Sequence, residues 1–275
     1  MSVSKVYIIA ELGSVAEGDL PTMIRQIDAA AAAGATSIKA QWLSSPSRLV
    51  DRRRAHDYAG AYRHLAYPAH WLEVMRGHAT RLDMGFGCSC YLPEDAETIA
   101  AYARWIKIAS FEQGSDDLRA AVVATGLPIV MSLGMASHEE TLAALDWKRQ
   151  AALTANLLHC VSSYDMPISR DQWNLGAISA YGLNGFSDHT RHPDAGHAAV
   201  LVGAKIVEAH LRLDDTPESN PDYGCAKSPA KFAAYVRRIR EAEILRDWLL
   251  VALGSGRKAP QSCEEDMRQY RTVTT

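Results

Sequence analysis

The chain has 275 residues, 48% hydrophobic and 22% charged, with a formal net charge of -3 at pH 7. That length suits one large α/β domain or two small ones, and that charge leaves no footprint for nucleic acid or an anionic membrane. The first apolar run meets Glu11 too early for a signal peptide, no run is long enough to span a bilayer, and five cysteines argue for a reducing cytoplasm over a disulfide framework.

Short apolar runs alternate with helix-period segments along the chain. Residues 6–10 read as the first strand and 21–33 as a helix, with Asp19 as its cap and Gly34 as its stop. A second strand follows at 37–40. Further strands at 84–88, 105–109, 129–132, 156–159, 183–187 and 206–210 bring the series to eight. Helices near 71–81, 94–103, 117–125, 139–145, 195–203 and 229–250 fill the gaps. Strands separated by helices imply right-handed βαβ units and a parallel sheet. The expected fold is therefore α/β, a (β/α)8 TIM barrel over residues 1–250 with a C-terminal tail over 251–275. A doubly wound open sheet is the alternative, but its usual glycine-rich first turn, GxGxxG, is absent.

Residues 42–68 exceed a minimal barrel and include the basic run Arg52-Arg53-Arg54. They follow the second strand on the catalytic side, so they read either as a lid over the mouth or as an irregular surface excursion. Cys88 and Cys90 would face one side of a strand, as buried thiols or as a weak metal hint.

A barrel enzyme carries its chemistry at the C-terminal ends of its strands. Here those ends deliver Glu11, then Lys39 and Gln41 on one side of their strand, then Ser89. Lys107 follows, with Ser110 and Glu112 just beyond it, and then Ser132. His159, Ser162 and Tyr164 come from the sixth strand, Ser187 and His189 from the seventh, Glu208 and His210 from the eighth. Two lysines and several hydroxyls in one mouth suit an oxygen-rich anion such as phosphate. The plainer reading of one barrel lysine is an ion pair with a neighbouring Glu. His189 and His210, at the ends of consecutive strands, suit a divalent metal, with acidic neighbours to orient their rings. His159 reads as a core histidine in preference to a ligand.

These residues together resemble the N-acetylneuraminate (sialic acid) synthase family. The resemblance covers residues 6–273 and rests on Ile9-Ala10-Glu11-Leu12-Gly13, Lys39-Ala40-Gln41, Lys107-Ile108-Ala109-Ser110 and Ser132-Leu133-Gly134-Met135. It continues through His159-Cys160-Val161-Ser162-Ser163-Tyr164, Gly185-Phe186-Ser187-Asp188-His189-Thr190 and Glu208-Ala209-His210. It implies a transferase that condenses phosphoenolpyruvate with an aldose, releasing phosphate and a 2-keto-3-deoxy sugar acid with C–O cleavage. It implies a divalent metal on His189 and His210, manganese first, with zinc, cobalt, iron or magnesium as alternatives. Lys39, Lys107, Ser110, Ser132 and Ser187 would bind phosphoenolpyruvate, and Ser89 stands where a threonine usually does. Glu11, Gln41, Glu112, Tyr164 and Asp222 match positions facing the metal water or the sugar; Glu11 or Glu112 would orient or deprotonate the water.

The chain departs from that pattern on the sugar side. Val15-Ala16 replace the usual Asn-His, Phe111 replaces a glycine, Tyr164-Asp165-Met166-Pro167 replaces Tyr-Pro-Thr-Pro, and Ala209 replaces a lysine. The expected antifreeze-like C-terminal domain, whose arginine reaches the partner's sugar, is not matched, which would leave a homodimer unclasped by it. The acceptor would then be smaller or lack the N-acetyl group, a separate protein would supply the cover, or residues 42–68 would cover the mouth with one of Arg52, Arg53 or Arg54 replacing that arginine. A non-standard acceptor is expected. The competing expectations are a metal-dependent lyase or hydrolase on another phosphorylated small molecule, and a non-catalytic binding protein derived from a synthase.

Overall fold

The computed structural model describes residues 5–150, 154–163, 167–253 and 262–270. Eight parallel strands, β1 (Tyr7–Glu11), β2 (Ser37–Gln41), β3 (Gly85–Ser89), β4 (Trp105–Ile108), β5 (Ile129–Ser132), β6 (Ala155–Cys160), β7 (Gly185–Asp188) and β8 (Ile206–His210), close in chain order into a barrel. β1 pairs with β2 on one side and β8 on the other, so no edge remains. The TIM barrel expectation holds and the open-sheet alternative does not.

Ten helices accompany them among the described residues: α1 (Leu20–Ala32), α2 (Pro46–Arg53), α3 (Ala59–Arg63), α4 (His70–Arg81), α5 (Ala96–Tyr102), α6 (Asp116–Ala124), α7 (His138–Gln150), α8 (Gly176–Ala180), α9 (Ala195–Leu201) and α10 (Pro229–Ala252). The start of α1 is set locally. Asp19 accepts the Thr22 amide at 2.9 Å, and Pro21 in the first turn gives up no helical hydrogen bond. Ser115 caps α6 in the same way. None of the described helices is long and apolar enough to cross a membrane.

Period-two alternation divides the barrel's labour. Outward residues such as Ile8, Ala10, Ile38, Ile106 and Val207 pack under the helices in the main core. Inward residues are apolar at the strand starts, where Ile9, Trp105, Val130, Leu158 and Ile206 form a separate plug. Gly87 makes room for it, since a Cβ there would overlap the Trp105 indole. Two residues further along these strands the inward row turns polar, at Glu11, Lys107, Ser132 and Glu208. The site is thus the upper layer of a solid barrel.

Residues 42–68 are folded, not irregular. Trp42 Nε1 donates to the Tyr67 carbonyl at 2.8 Å and the Tyr67 hydroxyl donates to the Gln41 carbonyl at 2.7 Å, closing the loop at its base. Above this clasp, Leu43, Leu49, Val50, Tyr62 and Leu65 join Tyr91 and Leu92 in a small core of their own. Arg52 bonds Asp117 at 2.9 Å and ties α2 to the start of α6. α10 runs two residues into the expected tail, and beyond it the described residues 262–270 include two single turns, Ser262–Glu264 and Arg268–Tyr270.

Candidate active site

A cavity of about 260 Å³ opens at the C-terminal ends of the strands. Its floor is lined by Lys39, Lys107, Ser132, Ser187 and Glu208; Glu11, His189, His210 and Asp222 line its middle; Gln41 and Ser110 also reach it. Cross-strand register brings these together, with Glu11 beside Lys39 and His210, and Ser187 beside Glu208.

Glu208 organises the floor. Lys107 Nζ lies 3.0 and 2.9 Å from its two oxygens and 2.6 Å from the Ser132 hydroxyl. Ser187 donates to Glu208 at 3.0 Å, and Lys39 Nζ lies 3.6 Å from it. Lys39 also donates to Ser89 at 3.0 Å and pairs with Glu11. Burial would raise the Glu208 pKa, but Lys107 and Lys39 outweigh it and hold the carboxyl well below the usual range. Burial lowers Lys39 to about 8, against the pull of Glu208. The ion-pair reading of the lysines holds. They are ion-paired, and they line the cavity with hydroxyls beside them, which suits exchange of a carboxylate partner for an incoming anion.

The two imidazoles face each other above this floor, with ring centroids 5.1 Å apart and planes tilted by 57°. Both are buried. Their supports are not the adjacent acids that the sequence offers. Asp188 turns outward, where its Oδ2 takes the Tyr235 hydroxyl at 2.6 Å and Lys227 at 3.1 Å, pinning β7 to α10. Glu208 serves the lysines. Instead Cys160 Sγ lies 3.5 Å from His189 Nδ1, and an Asp222 oxygen lies 3.9 Å from His210 Nδ1. Asp222 is itself held by the Ser14 amide at 2.7 Å and hydroxyl at 2.9 Å. Gly13 permits this: its φ is +59°, and a Cβ there would overlap the Asp222 carboxylate.

Burial, reinforced by His189 and Lys39, draws His210 down to about 3 despite Asp222. Burial opposes a charge on His189 as well, but the Cys160 sulfur, Glu208 and Asp188 outweigh it and raise its pKa. A neutral His210, a second imidazole and a carboxylate at one cavity form a donor set that fits a divalent metal. Ligating atoms of His210, Asp222 and Cys225 also lie within 4.8 Å of one another, but Cys225 is outside the cavity lining.

The remaining residues named from the sequence are placed as follows. Ser110 accepts the Gly134 amide at 3.1 Å. Ser89 and Ser162 stand behind the lining, Ser162 against Cys160 at 3.4 Å. Tyr164 lies outside the described residues. His159 faces the helices, stacked on Phe186 with Nε2 2.8 Å from the Trp173 carbonyl, so it is a core histidine. Glu112 does not line the cavity. It is buried behind Arg53, whose Nε donates to it at 2.7 Å, and burial raises its pKa despite that partner. Of the two carboxylates expected to serve water, only Glu11 reaches the cavity.

Cys160, Ser14 and the organising role of Glu208 were not read from the sequence as parts of the site, whereas Arg53 was among the three arginines named for the sugar side and is the one of them that lines the cavity. Glu208 carried a usable signal, since it lies two residues before His210 and so on the same side of β8. Ser14 and Cys160 carried none, because their partners are brought from 208 and 29 positions away.

The NeuB family profile matches residues 26–247. N-acetylneuraminate-9-phosphate synthase of Drosophila melanogaster is 28% identical over 86% of this chain and 68% of its own length. Pseudaminic acid synthase of Campylobacter jejuni is 29% identical over 92% and 76%. The crystal structure of N-acetylneuraminic acid synthetase from Leptospira borgpetersenii, in complex with citrate, superposes with a TM-score of 0.81 at 28% identity, covering 98% of this chain and 92% of that one. The closed eight-stranded barrel, the site at its mouth and these matches agree: the chain belongs to the NeuB family and is an enzyme of its synthase class.

Proposed function

We propose that this enzyme condenses phosphoenolpyruvate with an aldose to give a 2-keto-3-deoxy sugar acid and phosphate. The observation that carries this reading is the joining of two buried lysines and their hydroxyls to a buried histidine pair in one cavity of about 260 Å³. Names among the relatives, such as N,N'-diacetyllegionaminic acid synthase of Campylobacter jejuni at 26% identity, support a sugar-acid product.

Lys39 and Lys107, with Ser132, Ser187 and Ser110, would bind the phosphate and carboxylate of phosphoenolpyruvate. His189 and His210 would hold a divalent metal, which when bound acts as a Lewis acid toward an aldehyde oxygen. C3 of phosphoenolpyruvate bonds to the aldehyde carbon, and the carbonyl oxygen takes a proton. Positive charge develops at C2, where water adds. The C2–O bond to phosphate then breaks and the phosphate leaves with its electron pair. Glu11, one of the carboxylates that line the cavity, would take the proton from that water. Asp222, 3.9 Å from His210 Nδ1, would steady that ring by its charge, and Cys160, 3.5 Å from His189 Nδ1, would orient the other. The buried floor excludes water that would otherwise screen the lysines.

The test is phosphate release from phosphoenolpyruvate, supplied with manganese and a panel of four- to six-carbon aldoses. Release that depends on an aldose, and that is lost in His189→Ala and His210→Ala, is expected. Release without any aldose would assign a hydrolase instead.

A further inference from the structure

The outer wall of the cavity is built differently from its floor. Arg53 reaches it from the end of α2 and lines it together with Ala61, Tyr62, Leu65, Tyr91 and Phe111. Its guanidinium carbon stands 5.4, 5.1 and 4.8 Å from the ring centroids of Tyr62, Tyr91 and Phe111. Such a cage fixes a cation over aromatic faces. Behind the cage, Nε and Nη2 both reach one oxygen of Glu112, at 2.7 and 2.5 Å, and Nη1 donates to the Tyr62 hydroxyl at 3.0 Å. The other Glu112 oxygen is buried with no hydrogen-bond partner among the described residues.

An arginine carries five N–H donors in a fixed fork. With three engaged, two remain for whatever enters the cavity. The charge on Arg53 is already matched by Glu112. Of the other cations of this region, Arg48 and Arg52 pair with Glu94 and Asp117, and neither these two nor Arg54 and Arg63 line the cavity. The lysines of the floor are held by Glu208 and Glu11, and the one further acidic residue of the lining, Asp222, adds no positive charge. The outer wall therefore offers hydrogen-bond donors and apolar surface without a spare positive charge. A phosphate there would find no cation beyond Arg53, which Glu112 already pairs. A hydroxyl or carbonyl oxygen would find a donor, and an apolar substituent would find Ala61, Leu65 and the rings.

We propose that Arg53, in its cage of Tyr62, Tyr91 and Phe111, reads the end of the acceptor remote from the reacting aldehyde, and that the acceptor class is an uncharged aldose, not a phosphorylated one. This rests on the condensing reaction above and adds its acceptor class and the residue that selects it.

The experiment measures phosphate release with six-carbon aldoses, with and without a 2-acetamido group, each as the free sugar and as its 6-phosphate. The free sugar is expected to exceed its phosphate in kcat/KM by at least about tenfold. Arg53→Met should raise the acceptor KM roughly 10- to 100-fold, as loss of a charged hydrogen bond does, while calorimetric binding of phosphoenolpyruvate stays unchanged. Unchanged phosphoenolpyruvate binding also shows that the variant is folded. Should Arg53→Met fail to fold, Phe111→Ala removes only the exposed ring of the cage and should raise the same KM severalfold. A preference for the 6-phosphates, or an acceptor KM unmoved in the variants, would overturn the proposal while leaving the condensing reaction standing. No release with any sugar, free or phosphorylated, would overturn the reaction itself.

Discussion

Glu208→Gln is the sharpest test of the floor. Lys107 lies 2.9 Å from a Glu208 oxygen and Lys39 lies 3.6 Å from the other, all three groups being buried. At an effective dielectric near 20, each pair attracts by roughly 5 kcal/mol before desolvation is counted. Removing one partner of a buried pair leaves an uncompensated charge, at a cost of roughly 3–5 kcal/mol. For a domain of this size that lowers Tm by roughly 6–20 °C. Glutamine keeps the shape and one acceptor, so the change reports charge and not packing. Phosphoenolpyruvate should then restore more stability to the variant than to the wild type, because its negative groups take the place of the missing carboxylate. The assay is thermal unfolding with and without phosphoenolpyruvate at pH 7 and about pH 9. Lys39 already sits at about 8 in the intact protein, so at the higher pH it is largely neutral and the deficit should shrink. A variant within about 2 °C of the wild type, or one that gains no more from phosphoenolpyruvate, would refute the reasoning.

The lowered Lys39 sets a second expectation: kcat/KM for phosphoenolpyruvate should fall above pH about 8 as that lysine loses its proton, and a profile flat through pH about 9.5 would contradict it. His210 fixes the sign of an acid effect in metal-free protein. Its folded pKa, about 3, lies below the ordinary value of 6.5, so the unfolded chain binds the extra proton between these values and stability declines as pH drops through that window; urea unfolding in chelator, compared for wild type and His210→Gln, measures it, and equal pH slopes would exclude it. Asp188→Ala should cost roughly 3–5 kcal/mol by stranding Lys227 and the Tyr235 hydroxyl, seen as a lower urea midpoint. Gly13→Ala should cost about 1–2 kcal/mol for its left-handed φ, and by displacing Asp222 it should also weaken metal binding, read by calorimetry with manganese.

The parts of the fold written in local patterns were the legible ones. β8 runs from Ile206 to His210 as its apolar alternation indicates, and Asp19 with Pro21 marks the start of α1 to within a residue. Elements lacking an apolar stripe were missed. α2 holds only Leu49 and Val50 among polar and basic residues, and α8 is five residues long with no room for a period. α7 runs on to Gln150 because its last turns are solvated, where the sequence shows polar residues and no contrast. The site divided along similar lines. Its strand-borne residues, Lys39, Lys107, Ser132, Ser187, His189 and His210, meet at one cavity as their strand ends imply. The outward turn of Asp188 and the retreat of Glu112 behind Arg53 depend on which partner each carboxylate finds in space, Lys227 and Arg53 respectively. Neither partner is near in sequence.

The small core beneath residues 42–68 has an evolutionary consequence. Leu43, Leu49, Val50, Tyr62 and Leu65 pack on Tyr91 and Leu92 apart from the main barrel core. A segment that carries its own packing can change length or side chains while the strands beneath it keep their register. The lysines and histidines of the cavity stand on the barrel and its outer wall stands largely on this segment. Changes between residues 43 and 66, above the Trp42–Tyr67 clasp that belongs to the main core, can therefore reshape the outer wall while the strands stay as they are.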